Sequence, residues 1–246
     1  MTNRLLLKNS VQSNRIKLLL TPHHTGTWFW FKVLTAHPDV NSVLYMDIIE
    51  SGFDNMNSTI AHPLDIPVGV YANDRYNILH SHIEAPITSD YYLLLTYLTD
   101  YFISIRDPFK SLITRWNRNR EEEYRPLNDN IVNEWIILSE LNKKRNLNIV
   151  RLDHLDSYYS RVYALIDIYT LMGLDPNLVD INTIAKEWTP LNTQPTHEDT
   201  IRYEAGDFDY LNKNHKNDIE YFLKYKEQLK DFCMQHGYND LPWYHI

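Results

Sequence analysis

Short apolar runs alternate along the chain with longer segments in which apolar residues recur at helical spacing. The apolar runs have the length and composition of buried strands, and they occupy residues 15–21, 76–82, 101–105 and 148–152. The periodic segments predict helices, several of them bounded by proline or glycine, over residues 25–36, 91–98, 109–122, 130–144, 157–172 and 217–236. The segment 39–76 has no sustained period and contains Pro63 and Pro67, so we predict it to be mostly irregular.

The alternation of strands and helices predicts the fold class. It favours a parallel sheet that helices cover on both faces, which gives an α/β protein with a three-layer α/β/α arrangement around a central parallel sheet. A length of 246 residues allows one sizeable core, and no repeat, low-complexity tract or linker divides the chain. We therefore predict a single domain over residues 1–246, of undetermined oligomeric state.

Composition and charge narrow the functional classes. A net charge of -8 disfavours a protein that holds nucleic acid through a broad basic surface. Cys233 is the only cysteine, which excludes an intramolecular disulfide and a cysteine-rich metal site and fits a reducing compartment. The apolar segment Leu5-Leu6-Leu7 is too short for a signal peptide or a membrane span. We therefore expect a soluble, cytoplasmic protein that has no membrane span and does not bind nucleic acid.

The six glycines of the chain exclude two common nucleotide-binding motifs. No two of them have the spacing of G-x-G-x-x-G or of G-x-x-x-x-G-K-[ST]. The usual sequence arguments for NAD enzymes and for ATP or GTP hydrolases are therefore missing, although other loops can hold a phosphate. Any nucleotide site in this chain must depend on a loop with one glycine.

Polar residues follow the predicted strands at the ends where parallel sheets bind ligands. The first strand leads into Pro22-His23-His24-Thr25-Gly26-Thr27-Trp28, the second ends in His80-Ser81-His82-Ile83-Glu84, and the third is followed by Arg106-Asp107-Pro108. We expect four histidines and an arginine to converge. The glycine loop runs into a helix and offers backbone N–H groups and hydroxyls to an anion, and an arginine suits bidentate phosphate binding. The alternatives to anion binding are purely structural: the threonines would only cap the helix, and the arginine would only form a surface ion pair.

Together these elements resemble the cofactor signature of sulfotransferases that use 3′-phosphoadenosine-5′-phosphosulfate (PAPS). That signature is P-x-K-[ST]-G-T-[TS] between a strand and a helix, followed by a strand that ends in R-[DN]-P with a hydroxyl residue eight positions after the arginine. Residues 22–27 match the first motif, and Arg106-Asp107-Pro108 with Thr114 match the second. The segment 150–155 and Leu171-Met172-Gly173 are similar to later elements of the family. The resemblance implies a P-loop nucleotide-kinase-like sulfotransferase fold and a PAPS-dependent sulfotransferase, whose product is 3′-phosphoadenosine-5′-phosphate (PAP).

The resemblance also implies which residues bind the cofactor. The loop from His24 to Trp28 would hold the 5′-phosphosulfate, and Arg106 with Thr114 would hold the 3′-phosphate. Further candidates in the two motifs and the C-terminal region are His23, Thr25, Gly26, Thr27, the adenine-stacking Phe29, Ser111 as a reserve for Thr114, and Arg202 in place of the family's C-terminal R-K-G segment.

For the catalytic base, the resemblance points to His82, where the cytosolic branch has the histidine of K-T-H. Glu84 is the alternative, because it would face the same side of an extended segment. The base would take a proton from an acceptor hydroxyl or amine during in-line sulfuryl transfer. The family's loop lysine is His24 here, so we expect its contribution to depend on pH near neutrality. A register shifted by one residue instead puts His23 at the lysine position and Trp28 at the stacking position.

Two other functions remain open on these residues. Because the lysine is replaced, the chain could be a catalytically impaired relative that binds the nucleotide without transferring a sulfuryl group. Alternatively, His80 and His82 with His23 or His24 would form a three-histidine zinc site, which leaves Arg106 unexplained.

The acceptor is predicted only as a small molecule or a carbohydrate. Aromatic side chains supply stacking area for sugars and phenols. We expect its pocket to be lined by the segment 39–72 and by aromatic residues that include Trp188, Trp243 and Tyr244.

Overall fold

Five strands form a parallel sheet at the centre of the protein. A computed structural model describes residues 16–45, 76–83, 100–121, 131–189 and 197–246. The strands are β1 (Ile16–Thr21), β2 (Val40–Tyr45), β3 (Tyr76–His82), β4 (Tyr101–Ile105) and β5 (Ile149–Arg151). They lie in the order β2-β3-β1-β4-β5, and every neighbouring pair is parallel. The predicted α/β class with a parallel sheet is confirmed.

The helices connect the strands and form the C-terminal part of the chain. Those in the described residues are α1 (Thr27–Thr35), α2 (Pro108–Glu121), α3 (Ile131–Lys144), α4 (Tyr158–Leu171), α5 (Ile181–Glu187), α6 (Glu198–Glu204), α7 (Phe208–Lys224) and α8 (Lys226–Gln235). Short 3-10 turns occur at Leu152–Leu155, Pro176–Leu178 and Pro242–His245. Within the described ranges, no helix has both the length and the apolar character that a membrane crossing needs.

Most predicted elements are confirmed to within two residues at each end, and one prediction is wrong. Strand β2 was not predicted: it lies in the segment 39–76 that we expected to be mostly irregular, and its pairing with β3 decides its conformation. The single helix expected at 217–236 is two helices that meet at Tyr225, whose backbone leaves the helical region. Helices α5 and α6 were not predicted, and the helix expected at 91–98 lies outside the described residues.

Alternate residues of the central strands pack into two apolar cores on opposite faces of the sheet. Leu18 and Leu20 of β1 contribute to a core with α2, α3, α7 and α8. Leu19 and Phe102 contribute to a second core with α1, α4 and α5. All five side chains of β4 are buried. Because helices cover both faces, the open ends of the strands are where a ligand can approach the sheet.

The strand order creates a topological switch point at β1. Its neighbours are β3 on one side and β4 on the other, so the chain passes from one side of β1 to the other between these two strands. Open parallel sheets bind ligands beyond the carboxyl ends of the strands at such a point. The loop after β1 and the residues after β3 and β4 therefore define the place to search for a site.

Candidate functional site

The loop between β1 and α1 contains two residues with left-handed backbone conformations. These are His24, with φ of 62°, and Gly26, with φ of 84°. A β-carbon at Gly26 would lie 2.7 Å from Leu152 Cδ1, so this position requires glycine on steric grounds as well. Gly26 is also the N-cap of α1. Because it has no side chain to cap the first turn, the backbone N–H groups of that turn remain for a ligand or water.

Two side chains of the β4 region hold this loop through its carbonyl groups. The Arg106 Nη1 donates a hydrogen bond to the His24 carbonyl at 3.1 Å, and the Ser104 hydroxyl donates to the Thr25 carbonyl at 2.9 Å. Arg106 Nε is buried and has no hydrogen-bond partner among the described residues. The two sequence motifs therefore meet, and the guanidinium keeps a donor for a further acceptor.

The threonines of the loop are engaged by the protein itself. Thr25 is fully buried, and its hydroxyl donates to the Pro22 carbonyl at 2.7 Å. The Thr27 hydroxyl lies 3.3 Å from that of Thr21 at the end of β1. These bonds set the shape of the loop, so an anion at this site would be held mainly by backbone N–H groups.

The two hydroxyl residues predicted on α2 differ in their environment. Ser111 is fully buried, and its hydroxyl has no hydrogen-bond partner in the part of the chain that the structure describes. Thr114 is partly buried, and its hydroxyl donates to the Lys110 carbonyl one turn earlier at 2.9 Å. A hydroxyl in such a bond still has acceptor capacity and can turn to a ligand at a cost of about 1 kcal/mol.

Asp107 fixes the turn that carries Arg106. Its buried carboxylate accepts hydrogen bonds from the Tyr203 hydroxyl at 2.5 Å, the Phe109 backbone N–H at 2.9 Å and the Trp243 indole at 3.2 Å. Burial raises the pKa of Asp107, and the hydrogen bond from Tyr203 opposes this rise. The network ties α6 and the C-terminal turn to the start of α2, which explains the buried aromatic residues of the C-terminal region.

Three of the four predicted histidines form a cluster around the end of β1. The rings of His23 and His82 are stacked, with centroids 3.8 Å apart. Thr21 Oγ1 lies 2.8 Å from His80 Nε2 and 3.1 Å from His82 Nδ1. The His24 ring is farther away, 6.1 Å from that of His23. Three of the four histidines that we expected to converge therefore lie together at the ends of β1 and β3.

Burial keeps two of these histidines neutral. Desolvation, followed by the positive charges that His82 and His23 can carry, lowers the pKa of His80 to about 2. Desolvation and then the charge of His23 lower the pKa of His82 to about 3, whereas a hydrogen bond with the Thr21 backbone raises it. A base is most efficient when its pKa lies near the working pH. With a pKa this far below neutrality, His82 is therefore a weak base.

Glu134 is a site residue that the sequence analysis did not single out. It lies in the first turn of α3 and is 2% exposed. Its Oε1 is 2.5 Å from His23 Nδ1, and its Oε2 accepts the His23 backbone N–H at 2.6 Å. The only local signal in the sequence is an acidic residue among mostly apolar neighbours. Such a position is buried when the helix packs, and a buried carboxylate needs hydrogen-bond partners.

The aromatic candidates differ in their exposure. Phe29, predicted to stack on adenine, is 6% exposed and packs in the core against Trp30. Trp28 is 73% exposed at the start of α1. Trp243 and Tyr244, expected in the acceptor pocket, are buried in the core. The exposed aromatic ring at the loop is therefore that of Trp28, as in the shifted register.

Two further candidates are Arg202 and Glu84. Arg202 of α6 forms ion pairs with Glu198 at 3.0 Å and with Asp207 at 3.1 Å. These carboxylates belong to its own helix and the turn after it, so local pairing already accounts for this arginine. Glu84, the alternative base, lies outside the described residues.

The histidine cluster does not have the geometry of a metal site in the described part of the chain. No group of three or more His, Cys, Asp or Glu side chains there is arranged to hold a metal ion. The stacked rings of His23 and His82 face each other, so their nitrogen lone pairs do not converge on one point.

Comparisons with known proteins give a structural similarity and no match in sequence. No family model matches the sequence, and no curated protein matches it. Among solved structures, the chain is similar to mouse sulfotransferase SULT7A1 complexed with PAP, with a TM-score of 0.45 and 13% sequence identity. The match covers 75% of this chain and 68% of that chain.

Proposed function

We propose that the chain is a PAPS-dependent sulfotransferase with the three-layer, P-loop nucleotide-kinase-like fold of that family. The observation that carries this proposal is the contact of Arg106 with the His24 carbonyl, which joins residues 82 apart in sequence. A helix cap would explain the loop, and an ion pair would explain the arginine. Neither explains why both lie together at the switch point of the sheet, where ligands of such sheets bind.

The donor groups at this place fit a phosphorylated nucleotide. Arg106 Nε and the Ser111 hydroxyl are buried without a hydrogen-bond partner among the described residues, and the first turn of α1 has no side-chain cap from Gly26. Buried donors are normally satisfied, and phosphate oxygens are strong acceptors for arginine and for helix N-termini. The net charge of -8 makes these local donors the source of anion affinity.

The roles that we propose for the residues combine the sulfotransferase resemblance with their positions. The first turn of α1 would bind the 5′-phosphosulfate, and Arg106 with Thr114 or Ser111 would bind the 3′-phosphate. Trp28 would stack on the adenine, because its ring is exposed and that of Phe29 is not. Bound PAPS would supply an activated sulfuryl group for transfer to a hydroxyl or amine acceptor. Protonated His24 would stabilise charge on the leaving oxygen.

Calorimetric titration with PAP tests this proposal. We expect the wild-type protein to bind PAP and Arg106→Ala to bind it about 10- to 100-fold more weakly, because a hydrogen bond to a charged group contributes about 1.5–3 kcal/mol. Lys186→Ala is the matched control, since it removes an exposed positive charge on α5. Thermal melts establish that each variant is folded. Absence of PAP binding by the wild-type protein, or equal binding by Arg106→Ala, would contradict the proposal.

A catalytically impaired nucleotide-binding relative is the second candidate. It is favoured by the low pKa of His82 and by His24 at the lysine position. This candidate expects PAP binding without turnover of PAPS in a screen of phenols, alcohols, amines and sugars. Transfer that appears in His24→Lys and is absent from the wild-type protein would support it, whereas transfer by the wild-type protein would exclude it.

A further inference from the structure

A buried carboxylate and a histidine are paired beside the proposed binding site for the 5′-phosphosulfate. Glu134 uses both of its oxygens on His23, one on the ring Nδ1 at 2.5 Å and one on the backbone N–H at 2.6 Å. Two bonds to one residue fix both the position of the loop and the rotation of the imidazole. No residue pattern near His23 predicts this pair, because Glu134 comes from α3, 111 positions later.

The pairing determines which ring nitrogen of His23 can accept a proton. A carboxylate only accepts hydrogen bonds, so Nδ1 must carry the proton that the pair shares. The other nitrogen, Nε2, then has the lone pair of the neutral ring. A nearby carboxylate also stabilises the positively charged ring. The His23 side chain is 18% exposed, so a small acceptor can reach it, whereas Glu134 is shielded.

The neighbouring histidines do not compete for this proton. The His82 ring is stacked on that of His23 with a centroid distance of 3.8 Å, and two stacked imidazoles cannot both be charged without strong repulsion. Burial disfavours the charged form of His82 and of His80. The carboxylate of Glu134 favours it on His23. The cluster therefore has one position for an added proton.

We propose that His23 is the base that takes the proton of the sulfuryl acceptor, and that Glu134 is its positioning residue. This inference rests on the proposed function and replaces His82, the base that the resemblance implied. The acceptor oxygen forms its bond to sulfur while the bond from sulfur to the bridging phosphosulfate oxygen breaks, and the electron pair of that bond stays on the bridging oxygen. The acceptor proton moves to His23 Nε2 and later to solvent.

Nuclear magnetic resonance of the ligand-free protein tests the pair without any turnover. In protein with ¹⁵N-labelled histidine, we expect neutral His23 to carry its proton on Nδ1. Glu134→Gln should move that proton to Nε2, because the amide can donate to Nδ1, and should shift the His23 titration midpoint to lower pH by about one unit or more. The groups facing His23 in the described residues are Glu134 from α3, His82 and His80 from β3, and His24 beside it.

The matched control is Glu140→Gln on the same helix. Glu140 is partly exposed, pairs with Lys143 at 3.0 Å and accepts a hydrogen bond from Gln228, so its replacement removes one negative charge from α3 without touching His23. We expect the His23 resonances to stay unchanged in this variant. Wild-type His23 with its proton on Nε2, or an unchanged tautomer in Glu134→Gln, would overturn the proposal. If Glu134→Gln does not fold, the tautomer of His23 in the wild-type protein still tests the proposal.

Kinetics then separate this proposal from the proposed function. We expect Glu134→Gln and His23→Gln to lower kcat about 100-fold, with PAP affinity within about threefold of the wild type and the acid limb of the pH profile moved in Glu134→Gln. A wild-type protein that does not bind PAP would contradict the proposed function, whatever the tautomer of His23. Normal turnover of His23→Gln, or a loss of PAP affinity as large as the loss of kcat, would overturn His23 as the base.

Discussion

Replacement of Gly26 by alanine tests the geometry of the loop between β1 and α1 most directly. Gly26 combines a left-handed backbone with a close approach to Leu152 of the turn after β5. An added β-carbon would lie 2.7 Å from Leu152 Cδ1 and 2.8 Å from Cδ2, closer than real β-carbons approach other atoms. Leu152 is 1% exposed, so its side chain has little room to move away. The substitution must therefore strain either the loop or the core.

The size of the effect is the sum of two costs. A left-handed conformation costs an L-residue about 1–2 kcal/mol relative to glycine, and overpacking of a core costs about 1–3 kcal/mol. We therefore expect Gly26→Ala to lower the free energy of unfolding by about 2–5 kcal/mol. Gly206→Ala is the matched control, because Gly206 has φ of 71° and no atom within 4 Å of the added β-carbon. Gly206→Ala should therefore show only the cost of the left-handed backbone conformation.

Urea unfolding of the two variants and of Leu152→Ala provides the assay. The double variant Gly26→Ala/Leu152→Ala should be more stable than the sum of the single effects predicts, by about 1–3 kcal/mol, because the two side chains share one space. PAP titration should show weaker binding by Gly26→Ala than by Gly206→Ala. A cost for Gly26→Ala equal to that for Gly206→Ala, together with additive single effects, would refute the steric argument.

Three further predictions concern the residues around this loop. His24→Lys should keep or raise the rate of sulfuryl transfer and weaken its dependence on pH near neutrality, because lysine stays charged there; a lower rate in a pH-rate profile would contradict this. The raised pKa of Asp107 means that the folded state binds a proton more tightly than the unfolded state, so this residue makes the protein lose stability as pH rises above its ordinary pKa. Asp107→Asn should remove this pH dependence of stability. Unfolding free energies of the variant and the wild type, measured across pH, would reveal the difference. Trp28→Ala should leave stability within about 0.5 kcal/mol and weaken PAP binding by about 1–3 kcal/mol; unchanged affinity in calorimetry would remove the stacking role.

The elements that the sequence predicted correctly are those with strong local signals. Strand β4 is a run rich in strand-forming residues that ends at Arg106-Asp107-Pro108, and helix α4 ends before Gly173. Strand β2 has no such signal, since long-range pairing with β3 determines its conformation. The break at Tyr225 was also hidden, because apolar spacing continues across it from α7 into α8. Local pattern therefore predicts elements, whereas partner strands and helix junctions depend on tertiary contacts.

The same division holds within the candidate site. The glycine loop and Arg106 were found in the sequence because each is a contiguous motif at a strand end. Glu134 was missed because its relation to His23 exists only after α3 packs on the loop. The choice between Phe29 and Trp28 depended on which face of α1 is buried. Motifs therefore indicate the place of the site, and packing determines which side chains are available in it.

The protonation of the cluster limits which histidines can take part in acid–base chemistry. An anion bound beside a histidine raises its pKa by about 1–3 units. Starting from about 2 for His80 and about 3 for His82, such a shift leaves both groups largely neutral at pH 7. A nucleotide bound near the cluster would therefore not convert either of them into a cation. Of the two histidines of the loop, His23 has Glu134 to stabilise its charged form, which favours His23 as the group that takes the acceptor proton.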